Sequence, residues 1–175
     1  ADESCTPAHR EAFEATQRAA GRMRRLIESL LLLARWDAGQ ETLRRQTCDL
    51  SVIAAESIEL VRPLANTRQL SLTTEFGAAS CSGDPDRLGQ VVTNLLANAV
   101  TYNRAHGTIR VRTGLRDGYA WVEIADTGIG IAAADLPHVF ERFRQEDSSS
   151  TRESAGLGLG LSIASELVRM MGGEL

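Results

Sequence analysis

The sequence predicts an α+β protein in which one long, coiled-coil-like helix precedes a two-layer α/β sandwich with a mixed sheet. Three observations support this: a helical apolar repeat fills residues 7–37, alternating strand patterns follow, and helical patterns lie between and after them. Strands joined in hairpins and mixed with helices argue against a parallel doubly wound sheet. With 175 residues and 43% hydrophobic composition, the chain can bury a core.

The first predicted helix begins at Thr6-Pro7, an N-cap followed by a first-turn proline, and Gly39 suits its end. Its apolar residues recur at alternating steps of three and four, as in a coiled-coil seam: Phe13, Thr16, Ala20, Met23, Ile27, Leu30 and Ala34. One helix cannot bury such a seam against itself. Either partner helices cover it or it packs on its own domain.

A change of pattern at Gly39-Gln40 predicts a boundary between residues 1–39 and residues 40–175. Strand patterns then occur at 43–50, 70–76, 108–115 and 119–125, and helical patterns at 51–66, from 85 through 98, and at 159–171. Asp84-Pro85 supplies an N-cap with a first-turn proline. Asp117-Gly118 predicts a hairpin turn, and Gly172-Gly173 ends the last helix.

Composition excludes several classes of partner and site. A net charge of −4 provides no basic surface, so we expect no nucleic-acid partner. Three cysteines far apart in sequence, Cys5, Cys48 and Cys81, predict neither a disulfide framework nor a zinc site, and fit a reducing cytoplasm. The apolar run at 26–34 is too short to cross a bilayer, so we expect a soluble chain.

Two asparagines four residues apart, Asn94 and Asn98, project from one face of the third predicted helix. Their amide oxygens suit Mg²⁺, which keeps waters and substrate phosphate oxygens as its other ligands. Alone, such a pair is more typical of capping or solvated residues.

The sequence DTGIGI at 126–131 follows a predicted strand directly. Its first residue, Asp126, could accept a hydrogen bond from a purine amine, and Gly128 and Gly130 would let the backbone turn tightly beside the base. An ordinary glycine turn is the alternative.

Three alternating glycines, Gly156, Gly158 and Gly160, precede the last predicted helix. Bare backbone at a helix N-terminus suits a polyphosphate, although the spacing differs from both G-x-G-x-x-G and the Walker A motif. A flexible linker is the alternative, but the interleaved leucines count against it.

Residues 140–154 lie between the two glycine segments. Phe140 and Phe143 could anchor a segment whose remainder is a mobile lid over a ligand. Three arginines could neutralise phosphate from this lid, although each alone is more typical of a solvent-facing side chain: Arg142, Arg144 and Arg152.

The order of these motifs resembles the histidine-kinase branch of the family that includes gyrase, mismatch-repair ATPases and a major chaperone. QVVTNLLANAVTY at 90–102 looks like the N box, DTGIGI like the first glycine box, residues 140–143 like the F box, and GLGLGLSI at 156–163 like the second glycine box. Residues 22–39 resemble the second helix of the dimerisation hairpin in membrane sensor kinases. The resemblance implies a Bergerat-type ATP-binding fold.

The resemblance also implies roles for residues. Asn98 and Asn94 would hold Mg²⁺ at the catalytic centre. Asp126 would recognise the adenine amine, Tyr102 would pack near the base, and Arg142 would act from the lid. Five glycines would shape the pocket and lid: Gly128, Gly130, Gly156, Gly158 and Gly160. The implied cofactors are ATP and Mg²⁺.

The implied partners are a second copy, joined through the helical hairpin, and a response-regulator receiver domain. The implied parent protein is membrane-anchored, with this part in the cytoplasm.

The chain departs from the family pattern at three places. Thr101 stands where many members have a lysine that reaches the phosphates. The chain stops at Leu175, so we expect a domain truncated before its closing strands. No H box of the form His-Glu-x-x-Thr/Ser-Pro surrounds His9, His106 or His138, so we expect no phosphoacceptor and no first hairpin helix.

The leading interpretation is the ATP-binding catalytic part of a sensor histidine kinase. A non-catalytic nucleotide-binding or dimerisation module is the alternative, in which Thr101 and the missing acceptor reflect lost activity. A water-directed ATPase is disfavoured, because hydrolytic relatives carry a glutamate at the position of Asn94 and an amide cannot serve as that general base.

Overall fold

The computed structural model describes residues 6–39, 42–144 and 158–175, and the chain divides into two compact units, Ala1–Thr42 and Leu43–Leu175. The first unit is helix α1, Pro7–Asp37. As predicted, Thr6 caps it: its hydroxyl oxygen accepts a hydrogen bond from the His9 N–H at 3.3 Å, and Pro7 occupies the first turn. The seam residues Phe13 and Met23 are 63% and 64% exposed.

The second unit contains eight helices and strands among its described residues. In chain order they are β1 Gln46–Asp49, α2 Leu50–Thr67, β2 Ser71–Phe76, β3 Ser80–Gly83, α3 Pro85–Thr101, β4 Thr108–Arg116, β5 Tyr119–Asp126 and α4 Gly160–Met171. A short 3₁₀ turn, Leu136–His138, lies between β5 and α4. Within the described ranges, no helix is long and apolar enough to span a membrane.

The strands form two sheets. β2 pairs parallel with β4, and β4 pairs antiparallel with β5, so the larger sheet is mixed, as the sequence predicts. β1 and β3 form a separate antiparallel pair. Asp117 and Gly118 both have positive φ, 52° and 82°, which is the backbone of a two-residue hairpin turn between β4 and β5.

The core lies between the helices and one face of the larger sheet. α2 and α3 pack against each other and against the sheet, and α4 packs on α3. The most deeply buried large side chains come from all three helices and from β4: Ile58, Leu96, Val100, Ile109, Val111 and Leu167. Leu115 continues the alternation of Ile109 and Val111 along β4, but it is 53% exposed because the end of β4 runs into the hairpin turn. The predicted fold class is confirmed.

Two features differ from the sequence prediction. The first strand is shorter than expected, because Asp49 caps α2: its Oδ1 accepts hydrogen bonds from the Ser51 hydroxyl and from the Ser51 N–H at 2.9 Å. The hydroxyl bond, followed by the backbone bond, lowers the pKa of Asp49. Strand β3 was not predicted at all, because Ser-Cys-Ser-Gly lacks β-branched and aromatic residues and forms a strand only by pairing with β1.

Candidate functional site

Asp84 is the N-cap of α3 and so fixes where this helix begins. This residue is only 3% exposed, and its carboxylate accepts hydrogen bonds from the backbone N–H groups of Asp86 at 3.1 Å, Arg87 at 3.3 Å and Arg44 at 2.9 Å. Burial opposes ionisation, but the backbone bonds led by that from Arg44 lower the pKa of Asp84 overall. The helix therefore begins at a defined point, which sets the direction of the side chains that follow.

The end of α3 is fixed by an arginine from a different helix. Arg68, just after α2, donates from Nη1 to the backbone oxygens of Val100 at 3.0 Å and Thr101 at 2.5 Å. These carbonyls belong to the last turn of α3, where intrahelical partners are missing. The next residue, Tyr102, is half-buried, and its carbonyl oxygen accepts a hydrogen bond from the Ile129 N–H at 3.1 Å.

Asn94 and Asn98 are half-buried and lie one turn apart on α3. The Asn94 amide donates from Nδ2 to the carbonyl oxygen of Gly160, the first residue of α4, at 3.3 Å. Leu159, the N-cap of α4, makes no side-chain capping bond. The Asn94 amide therefore adjoins the N-terminus of α4, where the N-cap side chain covers no backbone N–H group, and this setting suits anionic oxygens.

This donor set is suited to Mg²⁺ bound together with phosphate. The oxygen of each amide is a hard neutral ligand, and Asn94 uses its nitrogen, not its oxygen, to bond Gly160. In the part of the chain that the structure describes, no group of three or more His, Cys, Asp or Glu side chains could hold a metal ion. A cation here would therefore depend on the asparagines and on substrate oxygens.

Asp126 ends β5 and opens the first glycine segment. Its Oδ1 accepts the Gly128 N–H at 2.7 Å, and no other hydrogen bond from the described residues reaches its side chain, so Oδ2 can accept from a ligand. A Cβ on Gly128 would lie 2.7 Å from Asp126 Oδ1 and closer still to the Tyr102 carbonyl oxygen. Only glycine allows this approach of the segment to the end of α3. Gly130 follows with φ +73°.

A polar network that sequence reasoning missed ties this segment to the loop after α3. The Thr127 hydroxyl accepts the Thr108 N–H at 2.9 Å and donates to Asn103 Oδ1 at 3.3 Å. The Asn103 amide nitrogen donates to the Thr108 carbonyl at 3.2 Å. No spacing rule reveals a pair 24 residues apart, so only the fold brings Asn103 to Thr127.

A backbone hydrogen bond joins the second glycine segment to the segment that carries Phe140 and Phe143. Gly158 has φ +67°, and its carbonyl oxygen accepts the Phe143 N–H at 3.0 Å. A Cβ at Gly158 would lie 2.7 Å from the Arg144 carbonyl oxygen. Gly156, Arg152 and the polar stretch expected to form a lid lie outside the described residues.

The expectation that two aromatics anchor this segment is not met. Phe140 and Phe143 are 39% and 58% exposed, so their rings are not seated in the core. Instead, Arg144 forms ion pairs with Asp135 at 3.2 Å and Glu141 at 3.2 Å. These pairs engage the Arg144 guanidinium with carboxylates. Arg142, on the same segment, is also exposed.

The three histidines belong to different segments of the chain. His9 is exposed in the first turn of α1, and His106 is exposed in the loop before β4 with φ +59°. His138 Nδ1 lies 2.5 Å from Glu141 Oε1, and this hydrogen bond is the main cause that lowers the pKa of Glu141.

The chain is similar to a known family of ATPases and to sensor kinases. A family model described as histidine kinase-, DNA gyrase B- and HSP90-like ATPase matches residues 83–175. The sensor protein GacS of Pseudomonas syringae pv. syringae is 32% identical over 97% of this chain and 20% of its own length. The probable sensor histidine kinase TcrY of Mycobacterium tuberculosis is 36% identical over 88% of this chain and 32% of its own length. The chain thus spans a fifth to a third of these relatives.

Two solved structures are similar in fold. Full-length ShkA in complex with AMPPNP superposes with a TM-score of 0.80 and 27% identity, covering 97% of this chain and 35% of the ShkA chain. The mycobacterial sensor histidine kinase MprB gives a TM-score of 0.65 and 29% identity, covering 73% of this chain and 80% of its own.

Proposed function

The chain belongs to the histidine kinase-, DNA gyrase B- and HSP90-like ATPase family, as the ATP-binding catalytic part of a sensor kinase, and from this premise we propose that it binds Mg-ATP and donates the γ-phosphoryl group to a histidine. The observation that carries the proposal is the hydrogen bond from Asn94 to Gly160. It joins the Asn94 amide to the N-terminus of α4, so one place offers ligands for both a hard cation and phosphate oxygens.

The base side of the site consists of Tyr102, Asp126, Gly128 and Gly130. Asp126 would accept the adenine amine at Oδ2, because Oδ1 is already bonded to the Gly128 N–H. Gly128 and Gly130 would let the backbone approach the base, and Tyr102 would pack near it. Ile129 and Ile131, 54% and 48% exposed, offer apolar surface beside the same segment. A carboxylate acceptor selects an amine over the carbonyl oxygen that guanine carries there.

The phosphate side consists of Asn94, Asn98, Gly156, Gly158 and Gly160. Asn94 and Asn98 would supply amide oxygens to Mg²⁺, and the backbone N–H groups at the start of α4 would bind phosphate oxygens. Bound Mg²⁺ would neutralise charge on the phosphates. Arg142, exposed on the segment that meets Gly158, would approach the phosphates from outside.

Transfer to a protein is favoured over transfer to water. Asn94 carries an amide, which cannot remove a proton from water as a carboxylate can. Phosphoryl transfer depends mainly on positioning and charge neutralisation, and both sides of the site provide these functions without a general base.

The remaining assignments follow from the same proposal. Residues 1–39 would be the second helix of a dimerisation hairpin, with the exposed seam residues Phe13 and Met23 of α1 covered by helices of a dimer. Residues 40–175 would be the catalytic domain. The phosphate would pass from the histidine to a response-regulator receiver domain, and the chain would be the cytoplasmic part of a membrane-anchored sensor.

A non-catalytic nucleotide-binding module is the second candidate. It is favoured by Thr101, which replaces the lysine that the resemblance leads one to expect, and by the lack of an H box around any histidine. In that case the chain would bind ATP without donating its phosphoryl group.

One experiment separates the two candidates. The chain is incubated with γ-labelled ATP and Mg²⁺, alone and with a separately produced hairpin that carries an H box. We expect acid-labile, base-stable label on the added hairpin and none on the chain alone, because His9 lacks the adjacent carboxylate that would take its proton. A hairpin whose acceptor histidine is replaced by glutamine is the matched control. ATP binding by calorimetry without any labelled hairpin would support the non-catalytic module. Stoichiometric label on His9 would contradict that module and the expectation that the chain alone is not labelled.

A further inference from the structure

Two thiols outside the nucleotide site lie directly opposite each other on neighbouring strands. Cys48 of β1 is paired in register with Cys81 of β3, and both thiols are free. Opposed residues of antiparallel strands share a face, with Cα atoms about 4.5–5.5 Å apart, and a disulfide joins Cα atoms about 4.4–6.8 Å apart. Backbone pairing thus holds these cysteines at a separation that a disulfide can bridge.

The surroundings of the two thiols differ. Cys48 is 7% exposed, and its thiol donates to the carbonyl oxygen of Gly83 at 3.3 Å. Cys81 is partly exposed, so a small reagent can reach its sulfur. Burial raises the pKa of the Cys81 thiol, and the neighbouring Cys48 and Asp49 raise it further. A small oxidant would still meet Cys81 first, because Cys81 is the more exposed thiol, and would find Cys48 beside it.

We propose that Cys48 and Cys81 form a reversible disulfide site that hydrogen peroxide oxidises and a dithiol reduces. The Cys81 thiolate attacks one peroxide oxygen, the O–O bond breaks, and a sulfenic acid and water result. The Cys48 sulfur then attacks the sulfenic sulfur, and the S–O bond breaks with loss of a second water. One hydrogen peroxide and two thiols give one disulfide and two waters. A dithiol returns both thiols by exchange and is itself oxidised.

The disulfide would restrain the strand that leads into the start of α3. It would join β1 covalently to β3 across residues 49–80, and β3 leads through Gly83 directly to the Asp84 cap. Closing a loop removes conformations from the unfolded chain, so the oxidised form should unfold at a higher temperature. This inference does not rest on the proposed kinase function, because its readouts are covalent and thermal.

The test uses the chain with Cys5→Ser, so that Cys48 and Cys81 are its only cysteines. After treatment of the folded monomer with hydrogen peroxide, we expect the intact mass to fall by two hydrogen atoms. Both thiols should become unreactive to iodoacetamide, and digestion should release one peptide pair that contains residues 48 and 81. Dithiothreitol should reverse each change, and the oxidised chain should melt at a higher temperature than the reduced chain.

Single variants of the same chain add a chemical control. With Cys48→Ser, peroxide should stop at a sulfenic acid on Cys81 that dimedone traps. With Cys81→Ser, buried Cys48 should stay reduced under the same treatment. Oxygen adducts on Cys81 of the two-cysteine chain, or disulfides only between chains, would overturn the proposal. Because the main measurement alters neither Cys48 nor Cys81, a variant that fails to fold does not affect it.

Discussion

The base side and the phosphate side of the site are held in different ways. On the base side, the Tyr102 carbonyl accepts a hydrogen bond from the Ile129 N–H, and the Asp126 carboxylate accepts one from the Gly128 N–H. The Thr127 hydroxyl donates a further hydrogen bond to Asn103, in the loop after α3. Among the described residues of the phosphate side, the Asn94 amide donates a hydrogen bond to the Gly160 carbonyl, and the Phe143 N–H donates one to the Gly158 carbonyl.

Among the described residues, the proposed base side is the more interlocked of the two without a ligand. Interlocked hydrogen bonds preorganise the groups that would contact the base, so little ordering is needed there on binding. The phosphate side joins α4 to a segment whose aromatic rings, Phe140 and Phe143, are exposed. Contacts made by the bound phosphates would complete that side.

The largest expected effect is on the base side. Asp126→Asn replaces an acceptor oxygen of the proposed adenine contact and can present a donor to the adenine amine. We expect ATP affinity to fall by about 2–3 kcal/mol, roughly 30- to 150-fold, measured by calorimetry with Mg²⁺. Asp117→Asn in the β4–β5 turn is a matched control, since asparagine tolerates the positive φ there. Unchanged ATP affinity, or equal competition by GTP, would show that the base is bound elsewhere.

A second prediction concerns the cap that orients α3. Asp84→Ala removes the N-cap acceptor and leaves the Arg44 N–H unpaired, and we expect the free energy of unfolding in urea to fall by about 2 kcal/mol at neutral pH. Asp86→Ala, which removes an exposed acid from the same turn, should cost far less.

The same prediction has a pH dependence. The pKa of Asp84 is lowered in the folded chain, so its stabilisation is present above the unfolded value of about 4 and is lost as pH falls through the folded pKa. Stability of the parent chain should therefore decline below about pH 4, and Asp84→Ala should decline less. Parallel acid profiles for the two chains would contradict this role of Asp84.

A third prediction is a gain in ATP affinity from a substitution on the phosphate side. Thr101→Lys should tighten ATP binding by about 1 kcal/mol, roughly fivefold, if the lysine makes a charge-assisted contact with phosphate. Adenosine, which has no phosphates, is the matched ligand control and should bind both chains equally. An unchanged ATP affinity would indicate that Arg142, Arg144 or Arg152 already provides that positive charge.

The smallest expected effect is at an exposed aromatic residue. Phe143→Ala should change the free energy of unfolding by less than about 0.5 kcal/mol, because 58% of the residue is already exposed. Leu96→Ala, at a fully buried position of α3, should cost about 2–5 kcal/mol in the same urea titration. A large loss at Phe143 would mean that the aromatic segment contributes to the core, and the contrast between the two sides would fail.

Local rules predicted much of this fold. Asp84-Pro85 marks the start of α3, Asp117-Gly118 marks the hairpin, and Gly172 ends α4 in a left-handed conformation, each through the backbone preferences of one or two residues. The candidate site was predicted in another way: its short motifs lie at the ends of helices and strands, but the roles of its residues are those that the family resemblance implies.

Contacts between distant segments could not be predicted. Arg68 reaches Val100 and Thr101 across more than thirty residues, and nothing in its neighbours distinguishes it from other surface arginines. Cys48 and Cys81 looked unrelated in sequence, because the strand that brings them together has weak strand propensity of its own. Such contacts depend on how distant helices pack and distant strands pair, and the whole unit determines both.

The parallel pairing of β2 with β4 affects the order in which the sheet can assemble. β4 and β5 are joined by a two-residue turn and can pair within microseconds of chain collapse. β2 pairs with β4 from Ser71↔Thr108 onward, with β3 and all of α3 in the intervening chain. Closing that longer loop costs entropy before any contact repays it. Docking of β2 is therefore the step expected to limit the folding rate, and until it occurs the β2 edge of β4 stays open to pairing with other chains.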